Sequence, residues 1–547
     1  MNVARKGAAV VNVARKRAAV VNVARKRATI VNIWSSLERA ARLYPDSIAV
    51  EDGSHSFTYR EFRARAAALA LDFRERGLVQ TERISILAWN SHAYLETYFA
   101  AAGAGLILNP LNVRLAAREI VDILVDCDSR LLLAESGFTD LALAVTRERG
   151  TIEEVLWLDD RHESRIARQL ARADEFVPAA TSGDDVAHLY YTSGTTGVAK
   201  GVMLSHRNVA THALGAIAEL SLSDRDTWAH IAPLFHLADA WATFAITHVG
   251  GRHVVLAKFD AERALDLIES SRTTITNLIP TMLNLMVKHP RAAGRDWSAL
   301  RNILSGGSPI APDVVRAIVA LFGAEYVQTY GMTETSPYLT LSLLKDHLRA
   351  LPREKQLEFQ CKTGRAFTTV ELRVVDENGR DVEPDEKSVG EIRVRGETVT
   401  RGYWKRPQET ARAFEDGWLK TGDLAVIDRE GYVTIVDRAK DMILSGGENV
   451  YSTEVEHALY AHPAVLEAAV FGVPDERYGE SVRAAVVLRE GAAVSSAALI
   501  DFCRTRLAGY KCPRAVDFLS ELPRTGSGKI QKRALRDPHW VGRSRSI

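Results

Sequence analysis

The chain has 547 residues, 46% hydrophobic and 25% charged, with a formal net charge of +1. That length exceeds one ordinary domain, and the near-neutral balance gives no general pull toward nucleic acid or acidic surfaces. Four scattered cysteines without CxxC spacing read as reduced thiols of a cytoplasmic protein, and no run reaches the ~18 apolar residues of a membrane span.

Residues 2–31 repeat a ten-residue unit three times (NVARKGAAVV, NVARKRAAVV, NVARKRATIV), with eight basic residues and no acidic one. On a helix, successive repeats are rotated by roughly 80°, because ten residues turn through about 1000°. No single polar face for a membrane surface results, and the apolar runs are too short for a signal-peptide core. Residues 1–31 are expected to be a disordered basic extension with little function, from a recent duplication or a start codon placed too far upstream.

From Ile33 onward the helical patterns Ser35–Tyr44 and Tyr59–Arg76 alternate with the buried-strand runs Ile84–Trp89 and Arg130–Ala134. This alternation predicts parallel sheets with crossover helices. A strand at His188–Tyr191 runs into Thr192-Ser193-Gly194-Thr195-Thr196-Gly197, with Lys200 just beyond. Ser205–Asn208 then opens a helix carrying Val209, Ala213, Ile217 and Leu220 on one face. Small hydroxyl residues and glycines suit a phosphate. Ala199-Lys200-Gly201 is not the Gly-Lys-Ser/Thr of the common nucleotide loop, however, and taken alone the segment also fits a polar hairpin.

An apolar stretch, Pro233 to Trp241, surrounds His236, and Tyr330-Gly331-Met332-Thr333-Glu334-Thr335 sets a carboxylate among hydroxyls and a ring. Near Val370 the texture changes. Val370–Val375 and Glu391–Val394 alternate across a turn holding Asn378-Gly379, which predicts an antiparallel hairpin. Asp423 follows a glycine turn in Gly417–Asp423, and a strand at Tyr432–Val436 ends in Asp437-Arg438. Beyond it, strands at Glu467–Phe471 and Val482–Leu488 and a helix near Ala497–Leu507 predict a small α+β domain. Its loop Pro523-Arg524-Thr525-Gly526-Ser527-Gly528-Lys529 ends in a lysine on a glycine-loosened segment.

In this order the motifs resemble the adenylate-forming superfamily of acyl-CoA synthetases, luciferases and peptide-synthetase adenylation domains. The resemblance runs from about Ile33 to about Leu535. It also includes Ser305-Gly306-Gly307-Ser308-Pro309, Asp437-Arg438-Ala439-Lys440-Asp441, Ser445-Gly446-Gly447-Glu448-Asn449 and Tyr510-Lys511-Cys512-Pro513. One departure is Ala199, where the family usually has proline. The resemblance implies a large α/β domain over 32–436, with mixed sheets, crossover helices and a small β-barrel-like part. A small mobile α+β domain over 437–547 follows.

The implied reaction joins a carboxylic acid to ATP as an acyl-adenylate and passes the acyl group to coenzyme A. Thr192, Ser193, Gly194, Thr195, Thr196, Gly197 and Lys200 would hold the β- and γ-phosphates, Thr333 the α-phosphate, and Glu334 a Mg²⁺ ion. Gly306, Gly307, Ser308, Tyr330, Gly331 and Met332 would enclose adenine, while Asp423 and Arg438 contact the ribose. Lys529 would bridge carboxylate and α-phosphate, and Lys440 would be the hinge of the small domain. Ser445, Gly446, Gly447 and Glu448 would meet coenzyme A, the glycines as part of a strand.

By the same resemblance His236 gates an acyl pocket with Phe235 and Trp241. Asp239 either binds an amino group or caps the following helix, and the cap is the expectation. The pattern is most like bacterial medium- and long-chain fatty-acid ligases; aryl, alicyclic and 3-methylthiopropionate-type acids are the alternatives. Phe235-His236, where peptide-synthetase domains usually have Phe-Asp, argues against amino-acid substrates. Transfer to an amine or a carrier protein is the alternative to coenzyme A, although no carrier segment follows. A nucleotide-binding regulator without turnover would lack Lys529 or Glu334. No nucleic-acid partner or membrane insertion is expected, and a homodimer is compatible with the sequence.

Overall fold

The structure, a computed structural model, describes residues 32–148, 152–193, 199–307, 310, 312–524 and 530–541. The repeats of residues 1–31 lie outside the described residues. The chain divides into two compact units. The first comprises the described residues up to Cys361 with Phe367–Val370 and Arg395–Arg412; the second comprises Lys362–Ala366, Glu371–Val394 and the described residues from Ala413.

The first unit begins with an antiparallel pair, Ile48–Asp52 (β1) and His55–Thr58 (β2). Arg83–Leu87 (β3), Ile107–Pro110 (β4), Ser129–Ala134 (β5), Glu154–Trp157 (β6), Val186–Ser193 (β7) and Ala199–Ser205 (β8) form a sheet ordered β6-β5-β3-β4-β7-β8. All its neighbours are parallel except β7–β8. The short apolar runs Ile84–Leu87 and Leu131–Ala134 are buried, as parallel strands covered by helices require.

Thr227–His230 (β9), Arg252–Val255 (β10), Ile275–Asn277 (β11), Asn302–Gly306 (β12), Glu325–Gly331 (β13) and Tyr338–Leu341 (β14) extend the first pair. Their order is β14-β13-β12-β11-β9-β10-β1-β2. The strands from β13 through β1 run parallel, and β14 and β2 are antiparallel at the ends. The crossover pattern read from the sequence is therefore present.

Helices begin where the sequence offers caps. The helix Ile33–Leu43 (α1) follows Asn32, whose side chain accepts from Trp34 N. Tyr59–Glu75 (α2) follows Thr58, which forms a reciprocal capping box with Glu61. His92–Ala104 (α3) starts at Ser91, and His206–Leu220 (α4) starts at Ser205 in a second box with Asn208. Leu237–Val249 (α5) is buried along nearly its whole length and packs on β9 and β10. Among the described residues no helix is long and apolar enough to cross a membrane, and the four cysteines are free.

The second unit holds Gly364–Ala366 (β15), Val370–Val375 (β16), Gly390–Gly396 (β17), Phe414–Glu415 (β18), Trp418–Ile427 (β19) and Tyr432–Arg438 (β20), ordered β16-β17-β19-β20-β15 with β18 on β19. Ile443–Ser445 (β21), Glu448–Val450 (β22), Val465–Asp475 (β23), Gly479–Leu488 (β24) and Ala515–Phe518 (β25) make a further sheet, β22-β21-β24-β23 with β25 beside β24. Ser452–Tyr460 (α6) and Ser496–Arg504 (α7) cover it, closing a core of Ile443, Val455, Leu459, Val470, Val482 and Leu499.

Candidate active site

Thr192 and Lys200 stand side by side at the ends of two paired strands. β7 and β8 pair antiparallel with Thr192 opposite Lys200 and Ser193 opposite Ala199. Gly194, Thr195, Thr196 and Gly197 lie outside the described residues, and for Ser193 the backbone alone is described. The pairing brings the first and last members of the predicted phosphate loop side by side.

A second segment of the same unit is fastened along β8. Trp404 N donates to Gly201 O at 2.7 Å, Thr400 Oγ1 donates to Met203 O at 2.6 Å, and Val202 bridges Tyr403. Asn208, part of the α4 cap, donates to Glu397 O at 2.7 Å and Val399 O at 3.1 Å. Tyr403 thereby stands beside the strand pair, with Lys200 Nζ 5.2 Å from its ring centre, within cation–π range. Its hydroxyl donates to Glu334 Oε1 at 2.9 Å. Burial, then the Glu334 charge, pushes the Tyr403 hydroxyl pKa up, so it stays a donor.

Glu334 sits in a short 3₁₀ turn, Thr333–Thr335, just past the C-terminal end of β13. Its carboxylate is buried, its backbone oxygen accepts from Thr400 N at 2.7 Å, and Tyr330, Gly331, Met332 and Thr333 are half-buried around it. Gly306 pairs with Thr329 at the end of β12, where any Cβ would collide with Thr329 Oγ1. Gly306, Gly307 and Tyr330–Glu334 therefore gather at the carboxyl ends of two adjacent parallel strands, the edge at which open α/β sheets bind ligands. Ser308 lies outside the described residues.

His236 is the half-buried N-cap residue of α5 and makes no side-chain cap bond. Phe235 packs edge-on against it at 4.8 Å and against Trp89 at 6.0 Å. Trp241 is buried, donating from Nε1 to Tyr338 Oη at 3.1 Å and Ala238 O at 3.0 Å.

Asp239 does not cap α5, contrary to expectation. It is the third residue of the helix and fully buried, accepting from Trp228 Nε1 at 3.1 Å and lying within hydrogen-bond distance of His230 Nδ1 at 2.6 Å. Two donors under the helix outcompete its own first-turn N–H groups. Burial pushes the Asp239 carboxyl pKa up while His230 pulls it back.

In the second unit Asp423 and Arg438 face each other across β19 and β20, with Arg438 Nε 3.1 Å from Asp423 Oδ1. Asp423 is buried and Arg438 reaches solvent, so a carboxylate is held beside a guanidinium at one edge. Lys440 is exposed two residues on, and Lys529 lies outside the described residues. Gly446 and Gly447 are not strand residues. They form the two-residue turn between β21 and β22, at φ +64° and +85°, closed by the Ser445–Glu448 pair. Two consecutive left-handed residues are what this tight hairpin demands, and glycine meets the demand without steric cost.

Tyr403 and His230 carry no motif in the sequence; their contacts arise only in the fold.

The family model for AMP-binding enzymes matches residues 37–404, and that for the AMP-binding enzyme C-terminal domain matches 454–529. The chain belongs to the AMP-binding enzyme family. It is 39% identical over 502 residues to a feruloyl-CoA synthase of Amycolatopsis sp, covering 91% of this chain and 97% of that protein. It is 35% identical over 520 residues to a long-chain-fatty-acid–CoA ligase of Thermus thermophilus, covering 93% and 95%. The crystal structure of ATP-bound MatB from Rhodopseudomonas palustris is similar at a TM-score of 0.82 and 32% identity, covering 92% of this chain and 98% of that one. Membership bears out the superfamily resemblance read from the motifs, and the similar structures bear out the fold class.

Proposed function

We propose that this ATP-dependent, AMP-forming acyl-CoA synthetase acts in the cytoplasm on an uncharged, largely apolar monocarboxylic acid. The observation that carries the adenylation reading is the meeting of Lys200, Tyr403 and Glu334 beside the β7–β8 pair. A phenylpropenoate-type acid is the first candidate. It is supported by the similarity to a feruloyl-CoA synthase. A medium- or long-chain fatty acid, the reading from the motifs, is supported by the similarity to the Thermus ligase.

A carboxylate is a poor electrophile, and adenylation gives it a leaving group. One carboxylate oxygen attacks the α-phosphorus, the bond to the bridging oxygen breaks, and diphosphate departs. The Thr192–Gly197 loop and Lys200 hold the β- and γ-phosphates, while Thr333 and Lys529 steady the α-phosphate as charge gathers there. Glu334 fits a Mg²⁺ site, because this ion needs only one or two protein carboxylates when phosphates supply other oxygens. The ion would supply neutralisation of the phosphate charge. Tyr403 holds Glu334 through its Oε1, so the carboxylate would be oriented when the cation binds. Asp423 accepts from the ribose hydroxyls with Arg438 alongside.

In the second half-reaction the coenzyme A thiolate attacks the acyl carbon and AMP leaves with the electron pair. We assign residues 437–547 as a mobile domain turning about Lys440. The Ser445–Glu448 turn, exposed at Gly446, Gly447 and Glu448, would then meet the pantetheine arm, where side chain-free glycines permit close approach. The test is acid-dependent ATP–diphosphate exchange, followed by AMP release with and without coenzyme A. Exchange that ignores added acid would overturn the reading. AMP release that requires an amine or a carrier protein would change the acceptor.

A further inference from the structure

The loop from Ile231 to His236 is gripped at both ends by buried side chains that the reaction scheme does not use. At one end stands Asn90, just before α3. Its Nδ2 donates toward His230 O, Ala232 O and Leu256 O at 3.1, 2.9 and 3.2 Å, and its Oδ1 accepts from Leu234 N at 2.8 Å. One amide thus fixes the backbone before, within and beside the loop.

At the other end a hydrogen-bonded chain runs beneath α5. His230 Nδ1 lies 2.6 Å from Asp239 Oδ2, His230 Nε2 lies 3.0 Å from His253 Nδ1, and His253 Nε2 lies 2.9 Å from Thr247 Oγ1. Asp239, His230, His253 and Thr247 are all fully buried. The two histidine rings stack at 5.2 Å. Asp239 and Thr247 stand at either end of α5, and the histidines come from β9 and β10, so the chain joins three elements. With Asp239 ionised, each donor finds one acceptor. His230 Nδ1–H donates to Asp239, His253 Nδ1–H to His230, and the Thr247 hydroxyl to His253.

We propose that Asn90 and the Asp239–His230–His253 chain are positioning residues for the gate, holding His236 where the acid's carboxylate is bound. This rests on the reading of His236 as the gate of an acid–CoA ligase. The physical ground is that a six-residue loop between two such anchors has little backbone freedom left, so the gate is preorganised. Lys200, Tyr403 and Glu334 are anchored through β7, β8 and the 395–412 segment instead. Loosening the gate should therefore weaken the acid and spare ATP.

The acid Asp239→Asn is an informative control. Asn can accept from Trp228 and donate to His230 Nδ1, provided both histidines shift their proton to Nε2, which reverses the chain while keeping its links. Asp239→Ala cannot do this. In full-length protein, ATP–diphosphate exchange would be measured with the acid varied at saturating ATP, then with ATP varied at saturating acid. The expected result is an acid KM raised about tenfold or more in Asp239→Ala and Asn90→Ala, an ATP KM within about twofold of wild type, and an acid KM in Asp239→Asn restored to within about threefold. Should the alanine variants fail to fold, His253→Gln, which interrupts the chain one step further from the gate, is expected to raise the acid KM about threefold. A folded variant with an unchanged acid KM overturns the proposal, as does a parallel rise in both KM values or an Asn variant no better than Ala. Absence of acid-dependent exchange in the wild type would instead sink the ligase reading itself.

Discussion

The Tyr403 hydroxyl donates to Glu334 Oε1 at 2.9 Å although 69 residues separate the two in sequence. The ring of the same tyrosine lies under Lys200 Nζ. One side chain thus spaces the lysine proposed for the phosphates from the carboxylate proposed for the metal.

Tyr403→Phe keeps the ring and removes the donor. Its expected effect is a fall in exchange rate of about tenfold, the loss of one hydrogen bond to a charged group. The Mg²⁺ concentration for half-maximal exchange should shift as well. Glu334→Gln should cost about two to three orders of magnitude, the scale seen when one transition-state electrostatic contact is removed. A Mg²⁺ titration of both variants checks this; a Glu334→Gln enzyme with wild-type Mg²⁺ dependence would remove Glu334 from the metal.

A pH prediction comes from His92, the first residue of α3. Burial acts to lower its pKa, but Asp52 at 2.9 Å and Glu163 at 3.1 Å outweigh it and raise the value to about 9. A histidine raised in the folded state stabilises fully below its unfolded value near 6.5, and that gain is lost as pH rises through about 9. His92→Gln should therefore lower the melting temperature at pH 6 by several degrees, as a loss on the order of 1–2 kcal/mol would. The gap between variant and wild type should close by about pH 9.5. Melting curves at pH 6, 7.5 and 9.5 decide it, and a gap independent of pH would mean that His92 acts by packing alone.

The acid is decided by competition. Exchange measured with ferulate, cinnamate, hexanoate, octanoate and palmitate should rank the phenylpropenoates first. Amino acids and dicarboxylates should rank last, since burying an unpaired charge near Phe235 and Trp241 costs several kcal/mol. Octanoate or palmitate ahead of both aryl acids would return the fatty-acid reading to first place.

Much of the fold was legible because its signals are local. Thr58 and Glu61, or Ser205 and Asn208, announce helix starts three residues apart. Ile84–Leu87 and Leu131–Ala134 are short apolar runs that can only be buried strands. The strand at 129–134 and the helix at 59–75 fall within a residue of expectation. What escaped depends on partners far away. Asp239 has the position of a helix-start acid, and only the fold brings Trp228 and His230 beneath it. Asn90 meets Leu234 across 144 residues, and no periodicity records such a contact. The resemblance implied that Gly446 and Gly447 belong to a strand, yet their positive φ values make them the turn.

The alternating use of the small domain is tested by two variants with opposite effects. Lys529, a compact cation, is assigned to the carboxylate and α-phosphate during adenylation and should be withdrawn for thioester formation. Lys529→Ala should slow acyl-adenylate formation by roughly two to three orders of magnitude, while pre-made acyl-adenylate should still pass to coenzyme A at nearly the wild-type rate. Gly446→Leu should do the reverse by filling the turn proposed to meet the pantetheine arm. At φ +64°, with an added Cβ 3.2 Å from the Tyr478 ring, leucine also strains the hairpin. Gly446→Asn, which tolerates the left-handed region better, separates strain from blockade: it should melt near wild type and still slow thioester formation. Equal loss of both half-reactions in Lys529→Ala and Gly446→Leu would remove the alternation, because a single fixed site needs both residues at once.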